Sequence, residues 1–281
     1  MEEKSAKQIY GVLGYPASHS LSPLMHNAAF KALGINAEYK IFEVKPQELE
    51  KFIRSLSEQH ISGINVTIPY KEKVVPFLDR ISDEARLIGA VNTIKVSQDK
   101  LEGFNTDGEG FLRHISEVFD FDPRDKSIAL IGAGGAAKAV SVYLCRNTPK
   151  SIAIYDIEKA KVSALIGHLN ECCKGVDFYG ANSIAELNIP KSDLLVNATP
   201  VGMKETDPAL VDGKFLHKGL LVYDLIYHVK ETKLLKLARE KGCLSSGGLG
   251  MLLSQGMLSF KIWTGKNAPR DVMEQALLEA L

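Results

Sequence analysis

Several sets of residues have the types and spacing to act on a small polar molecule. Gly132-Ala133-Gly134-Gly135-Ala136 follows a short apolar run at residues 128–131 and opens an Ala/Val-rich segment that reads as a helix to Cys145. Strand, glycine turn and helix in that order put a pyrophosphate on a helix N-terminus. The first glycine makes the turn, the next lets the backbone approach the phosphates, and the small residues beyond let helix and strand pack closely. The pattern is G-x-G-G-x-A rather than G-x-G-x-x-G, so its context carries the reading. A second apolar run, residues 151–155, ends in Asp156, 24 residues beyond Gly132. A separation of about 20 suits a carboxylate that holds an adenosine ribose. An ordinary glycine turn of an α/β domain is the plainer alternative.

The first hundred residues hold further polar clusters. Ser22-Pro23 predicts a helix over residues 23–33, with Ser22 as its N-cap and Gly34 as its stop. Ser20 and Ser22 then sit where hydroxyls and free N–H groups converge, which suits a carboxylate as well as it suits plain capping. Asn65 and Thr67 lie at the carboxyl end of an apolar strand, and Lys71 follows it. That end of an open α/β sheet is where ligands bind, although a lysine there is commonly a solvated charge. Asn105-Thr106-Asp107 precedes a helix over residues 109–119, and Asp107 reads equally as a cap.

The elements that must position these groups alternate. Strands are predicted at residues 9–14, 38–44 and 61–67, with helices over 23–33, 46–57 and 71–86. A hairpin joins residues 89–96 to 101–104. Beyond the glycine turn, a helix at 158–172 and apolar strands at 176–179, 193–197 and 220–227 continue the alternation, and helices at 251–263 and 270–281 close the chain. The fold class is α/β with mostly parallel sheets. The 281 residues suffice for one to two domains with a real core.

Composition excludes several classes. Lys+Arg and Asp+Glu are each 34, so the formal charge is zero and no electrostatic footprint for nucleic acid or an acidic membrane exists. No apolar run approaches the roughly 20 residues of a membrane span. Cys145, Cys172, Cys173 and Cys243 lack metal-ligand spacing, and adjacent Cys172 and Cys173 make a poor structural disulfide. The opening MEEKSAKQIYGVLGY has no long apolar core. These features predict a cytoplasmic protein without a metal.

Four blocks in order, Ser20-Leu21-Ser22-Pro23 with His26-Asn27, Asn65 to Lys71, Ala90-Val91-Asn92-Thr93 and Asn105-Thr106-Asp107-Gly108, resemble the signature blocks of the shikimate dehydrogenase family. The resemblance extends through Asn197-Ala198-Thr199-Pro200-Val201-Gly202-Met203, the strand ending near Tyr227, and Gly247-Gly248-Leu249-Gly250 with Gln255. It implies an N-terminal α/β substrate domain (1–106), a Rossmann-type doubly wound dinucleotide-binding domain (107–247) and C-terminal helices (248–281) that return to the first. It also implies interconversion of shikimate and 3-dehydroshikimate in a cleft between domains. Lys71 and Asp107 would bracket the reacting hydroxyl, Lys71 moving the proton and Asp107 orienting hydroxyls. Ser20 and Ser22 would take the substrate carboxylate, while Asn65, Thr67, Asn92, Tyr227 and Gln255 would complete the substrate site. Gly132, Ala133, Gly134, Gly135, Ala136, Asp156, Thr199, Leu225 and Gly248 would hold the dinucleotide.

Two departures from the family stand out. Many relatives follow the tyrosine with Asn-Pro, where this chain has His228-Val229, which puts the local loop conformation in question. Most also carry an Asn-Arg-Thr/Ser segment after the second nucleotide-domain strand, whose arginine pairs with a 2′-phosphate. This chain reads Asp156-Ile157-Glu158-Lys159 instead. The expected cofactor is therefore NAD, with NADP as the alternative. Quinate oxidation, a folate-linked dehydrogenase and a non-catalytic dinucleotide-binding regulatory module are the competing readings. The expected assembly is a monomer or homodimer.

Overall fold

The computed structural model describes residues 6–280. The described residues divide into two compact units, 6–106 with 252–280, and 107–251.

In the first unit, β1 (Gln8–Gly14), α1 (Ser22–Ala32), β2 (Ala37–Glu43), α2 (Leu49–Arg54) and β3 (Ile61–Val66) alternate as expected. Then β4 (Arg80–Ile81), α3 (Asp83–Ile88), β5 (Thr93–Ser97) and β6 (Lys100–Phe104) follow. Strand order is β2-β1-β3-β5-β6-β4, with β1 parallel to both neighbours and β5 antiparallel to both β3 and β6. The β5–β6 hairpin turns on Gln98 and Asp99, both at positive φ, the conformation that matches strand twist in a two-residue turn. The helix expected over residues 71–86 does not form. Pro76 interrupts it, Arg80 and Ile81 pair with β6 instead, and Ser82 caps a separate α3 by accepting the Ala85 N–H at 3.1 Å. Likewise the segment 46–57 condenses to a 3₁₀ turn and the short α2.

The second unit contains α4 (Asp107–Phe119), β7 (Ser127–Ile131), α5 (Gly135–Cys145), β8 (Ser151–Tyr155), α6 (Lys159–Cys172), β9 (Asp177–Gly180), β10 (Leu194–Asn197), β11 (Leu221–Asp224), α7 (Lys233–Glu240) and β12 (Leu244–Gly247). All six strands are parallel, in the order β9-β8-β7-β10-β11-β12. That is the doubly wound 3-2-1-4-5-6 order, whose direction reverses between β7 and β10. Strands buried on both faces account for the continuous apolar runs, for example Ile128 to Ile131 and Leu194 to Val196. The chain ends in α8 (Leu249–Thr264) and α9 (Arg270–Leu278). In the first unit Trp263 packs on the sheet, its Nε1–H donating to Ile94 O at 2.9 Å. A Cβ at Gly63 would lie 2.5 Å from Trp263 Nε1, which explains a glycine inside β3.

Candidate active site

In the first unit, a loop and a buried polar array carry the expected residues. The Glu43 carboxylate at the end of β2 accepts the N–H groups of Ala17 and Ser18 at 2.7 and 2.9 Å, fixing the loop into α1. Those two hydrogen bonds hold its acid below the usual carboxylate range. The helix starts at Ser22 itself, with Leu21 as N-cap and no side-chain cap bond. The expectation that Ser22 caps the helix is thus corrected: Ser20 Oγ accepts the Ser22 N–H at 3.3 Å, and the Ser22 side chain is buried inside the first turn. The residue at N1/N2 is still Pro23.

Asn65 sits on β3 with its amide buried. Its Nδ2 donates to Ser259 Oγ at 2.9 Å, Thr93 Oγ1 at 3.1 Å and Asn92 O at 3.2 Å, while Tyr39 OH donates to Oδ1 at 2.7 Å. Asn92 extends the array: its Nδ2 donates to Thr106 Oγ1 at 2.9 Å and Gln255 Oε1 at 3.3 Å, and its Oδ1 accepts the Thr106 N–H at 2.8 Å. The Lys71 carbonyl accepts the Val91 N–H at 2.7 Å, which pins the lysine's backbone one residue from Asn92. The Thr67 carbonyl accepts the Tyr70 N–H at 2.9 Å in the turn between Thr67 and Lys71. Ser20, Ser22, Asn65, Thr67, Lys71, Asn92 and Gln255 therefore all belong to this unit.

Sequence reading passed over Tyr39, Glu43 and Ser259. Ser259 lies one helical turn beyond Gln255 on α8, so the same helix face offers both polar groups, and that spacing is the available signal. Asn27, by contrast, is structural. Its amide brackets Tyr39 on the edge strand β2, donating to the carbonyl at 3.0 Å and accepting the N–H at 2.8 Å.

The second unit brings residues expected to hold a dinucleotide to the carboxyl ends of its parallel strands. Gly132 follows β7 at φ +108°, and a Cβ there would meet Ala198 O at 2.9 Å. Gly134 is the N-cap of α5, and the space where its Cβ would stand is open. A backbone that glycine favours, free space above it and the first N–H groups of a helix fit a pyrophosphate. Asp156, just past β8, accepts the Ala133 N–H through Oδ2 and the Glu158 N–H through Oδ1, both at 2.9 Å.

A second buried network shapes the other side of the switch point. Asn197 Oδ1 accepts from the Thr199 N–H at 3.0 Å and from Thr199 Oγ1 at 2.7 Å, and Asn197 Nδ2 donates to Asp224 Oδ1 at 2.9 Å. Thr232 Oγ1 donates to Asp224 Oδ2 at 2.7 Å. Burial pushes the Asp224 acid up to about 6 against the pull of these donors. The backbone of Leu225 donates to Asn197 O at 2.9 Å, and Gly248 closes on it: a Cβ there would fall 2.2 Å from Leu225 O. The strand expected to reach residue 227 ends at Asp224, because Asp224 turns the chain by accepting the Ile226 N–H at 3.1 Å. Tyr227 beyond it packs against His228 with the rings tilted at 41°, and burial together with the Asp107 carboxylate pushes its phenol up to about 12. Asp107 is the first residue of α4 and is buried. Thr232 went unread, and Asn197, quoted only in a resembling block, and Asp224, quoted only within a strand, were given no role although both end parallel strands, where ligands bind.

A doubly wound parallel sheet with a glycine turn at its switch point is the arrangement of dinucleotide-binding domains, among them those of nicotinamide-dependent oxidoreductases. Family models agree and refine the class. Residues 12–94 match the shikimate dehydrogenase substrate binding domain, and residues 248–278 match the shikimate 5'-dehydrogenase C-terminal domain. A shikimate dehydrogenase (NADP(+)) of Methanopyrus kandleri is 45% identical over 97% of this chain and 96% of its own length. A crystal structure of a shikimate dehydrogenase in complex with NADP+ superposes with a TM-score of 0.90 at 38% identity, covering 97% of this chain and 95% of that one. The Listeria monocytogenes enzyme in complex with shikimate and NAD gives 0.86 at 34% identity, covering 99% and 98%. The chain belongs to the shikimate dehydrogenase family.

Proposed function

We propose that this chain reversibly oxidises shikimate to 3-dehydroshikimate and takes NAD in preference to NADP. The observation that carries the substrate reading is the buried amide and hydroxyl array of Asn65, Asn92, Thr106 and Gln255, with Lys71 tied by its backbone to the Asn92 segment. A polyhydroxylated ring needs such a set of fixed donors and acceptors, because an unpaired buried polar group costs about 1–3 kcal/mol. The dinucleotide, when bound, supplies the hydride acceptor.

The residues of the chain do the rest. Lys71 Nζ takes the proton of the reacting hydroxyl during oxidation and returns it during reduction. The Asp107 carboxylate accepts a hydrogen bond from a ring hydroxyl. Ser20 and Ser22 hydroxyls donate to the substrate carboxylate, and Asn65, Thr67, Asn92, Tyr227 and Gln255 hold the ring. Gly132, Ala133, Gly134, Gly135 and Ala136 receive the pyrophosphate, while Thr199, Leu225 and Gly248 frame the nicotinamide.

The cofactor preference rests on residues 156–159. Two backbone donors hold the Asp156 carboxylate at the end of β8, where a doubly wound sheet reads an adenosine ribose. It accepts hydrogen bonds from ribose hydroxyls and repels a 2′-phosphate. Glu158 adds negative charge but is itself paired with Lys161, and no arginine is present in the loop. The curated relatives are named for NADP(+), so the preference proposed here departs from them.

One assay tests both halves: shikimate and quinate against NAD and NADP, followed at the reduced-nicotinamide absorbance and scored by kcat/KM. Shikimate with NAD is expected to be the best pair. A higher value with NADP overturns the cofactor half, a higher value with quinate overturns the substrate half, and no turnover with any pair makes the chain a binding module.

A further inference from the structure

Asn197 and Asp224 are paired positions at the carboxyl ends of the parallel strands β10 and β11, and both side chains are fully buried. An amide has two acceptor sites and two donor hydrogens, and Asn197 uses all four on the protein. Its Oδ1 accepts the Thr199 N–H and the Thr199 hydroxyl at 3.0 and 2.7 Å. Its Nδ2 donates to Asp224 Oδ1 at 2.9 Å and to Val201 O at 3.2 Å. The Thr199 hydroxyl also accepts the Val201 N–H at 3.2 Å, so it has no proton left for a ligand. Its methyl group lies 3.1 Å from where a Cβ on Gly132 would stand. At the far end of this loop Gly202, at φ +112°, donates its N–H to Asp207 Oδ2 at 2.8 Å.

We propose that Asp224, acting through Asn197, is a positioning residue for the dinucleotide: the pair turns Thr199 so that its methyl group, and not its hydroxyl proton, walls the glycine turn. This role rests on the proposed dinucleotide site in the same unit. Were the Thr199 hydroxyl to swing toward a ligand, Asn197 Oδ1 would lose a donor and the Val201 N–H its acceptor, and a half-satisfied buried network is costly. The anchor is stiff because Asn197 and Asp224 are neighbours in a strand ladder that also carries the bond from the Leu225 N–H to Asn197 O at 2.9 Å. Asp224 suits the place because donors reach it from three directions and it has only acceptors to offer. They are Asn197 Nδ2, the Ile226 N–H at 3.1 Å and the Thr232 hydroxyl at 2.7 Å. Thr232 in turn accepts the Leu235 N–H at 3.2 Å as the N-cap of α7, so the same carboxylate ties that helix to the loop. The role needs the shape of these bonds and not the charge. An asparagine at 224 keeps the oxygen facing Asn197 and Ile226, and its amide donates to Thr232 Oγ1 instead of accepting from it.

The test uses the whole chain and reads the Kd for NAD and for NADP by titration calorimetry, beside the KM for shikimate at saturating cofactor. Asp224→Ala should weaken the tighter dinucleotide by at least about tenfold and leave the shikimate KM unchanged. Asp224→Asn should restore the parent Kd. Thr199→Ser keeps the hydroxyl and drops the methyl, and should weaken the dinucleotide by about fourfold, the worth of one buried methyl group. Thr232→Ala should lower the melting temperature without moving the Kd, which separates stability from positioning. Asn197→Ala leaves Asp224 two of its donors and should weaken the dinucleotide as Asp224→Ala does, so it carries the test if Asp224→Ala does not fold. A parent Kd in both alanine variants overturns the proposal, as does an Asp224→Asn variant as weak as Asp224→Ala, or an unchanged Kd in Thr199→Ser. Equal losses for shikimate and dinucleotide also overturn it, because they report general loosening. A parent chain that binds neither dinucleotide overturns the proposed dinucleotide site and this role with it.

Discussion

The Asp156 carboxylate accepts the backbone N–H of Ala133 at 2.9 Å, which joins the acid at the end of β8 to the middle of the glycine turn after β7. One side chain thus sets the glycine loop proposed to receive a pyrophosphate and, on the same proposal, would present charge to the neighbouring ribose. Replacing it has two consequences that must be separated.

Asp156→Ser with Ile157→Arg removes the negative charge and adds a guanidinium. The NAD to NADP ratio in kcat/KM, expected to be at least about tenfold (roughly 1.4 kcal/mol) in the parent, should narrow or invert. A ratio unchanged by the double substitution would locate the discrimination elsewhere, with Lys159 the next residue to replace.

Lys71→Ala should lower kcat by about 10²–10⁴, as expected for loss of an acid–base group, and change the KM for shikimate far less. Asp107→Asn should lower kcat as well. Steady-state kinetics decide: a normal kcat with a raised KM would make Lys71 a binding residue.

Replacing both Ser20 and Ser22 by alanine should raise the KM for shikimate strongly, because each charge-assisted hydrogen bond to a carboxylate is worth about 1.5–3 kcal/mol. No side-chain cap bond is made by Ser22, so thermal stability should fall less than it would for a true N-cap. Unchanged KM with a lower melting temperature would restore the plain structural role.

Gly248→Ala forces a methyl toward Leu225 O, 2.2 Å from where its Cβ would stand. The backbone of Leu225 must move, so the variant should lose about 1–3 kcal/mol of stability and raise the KM for the nicotinamide cofactor. Denaturant melts and cofactor titration read the two effects, and an unaltered cofactor KM would uncouple Gly248 from that site.

His26 predicts acid sensitivity of the first unit. Its ring is buried against Tyr39, Phe260 and Trp263, and neither ring nitrogen has a hydrogen-bond partner. Burial pushes it down to about 3, from an ordinary value of 6.5. Above pH 6.5 both states are neutral and stability is intact. As pH falls below 6.5 the unfolded chain takes up the proton first, and stability drops by up to about 1.4 kcal/mol per pH unit. His26→Phe should flatten the melting temperature between pH 6.5 and 5, and equal losses in parent and variant would assign the effect to other groups.

By itself the sequence determined the α/β class, the glycine turn and the carboxylate that follows the next strand, and part of both polar clusters. Those features are local: a double-faced apolar strand, a glycine at the turn and a carboxylate at a fixed distance along the chain are written into neighbouring residues. What only the tertiary structure decided is pairing at a distance. Residues 71–86 have helical composition, yet Arg80 and Ile81 leave the helix because β6 offers them strand partners, Glu102 and Gly103, well outside that segment. Ser22 reads as a cap until the Glu43 carboxylate fixes the preceding loop and moves the helix start. Ser259 meets Asn65 across 194 positions, and Thr232 meets Asp224 only because the chain folds back after β11. Hydrogen bonds of that kind are set by which surfaces the core brings together, and no periodicity within a window of residues records them.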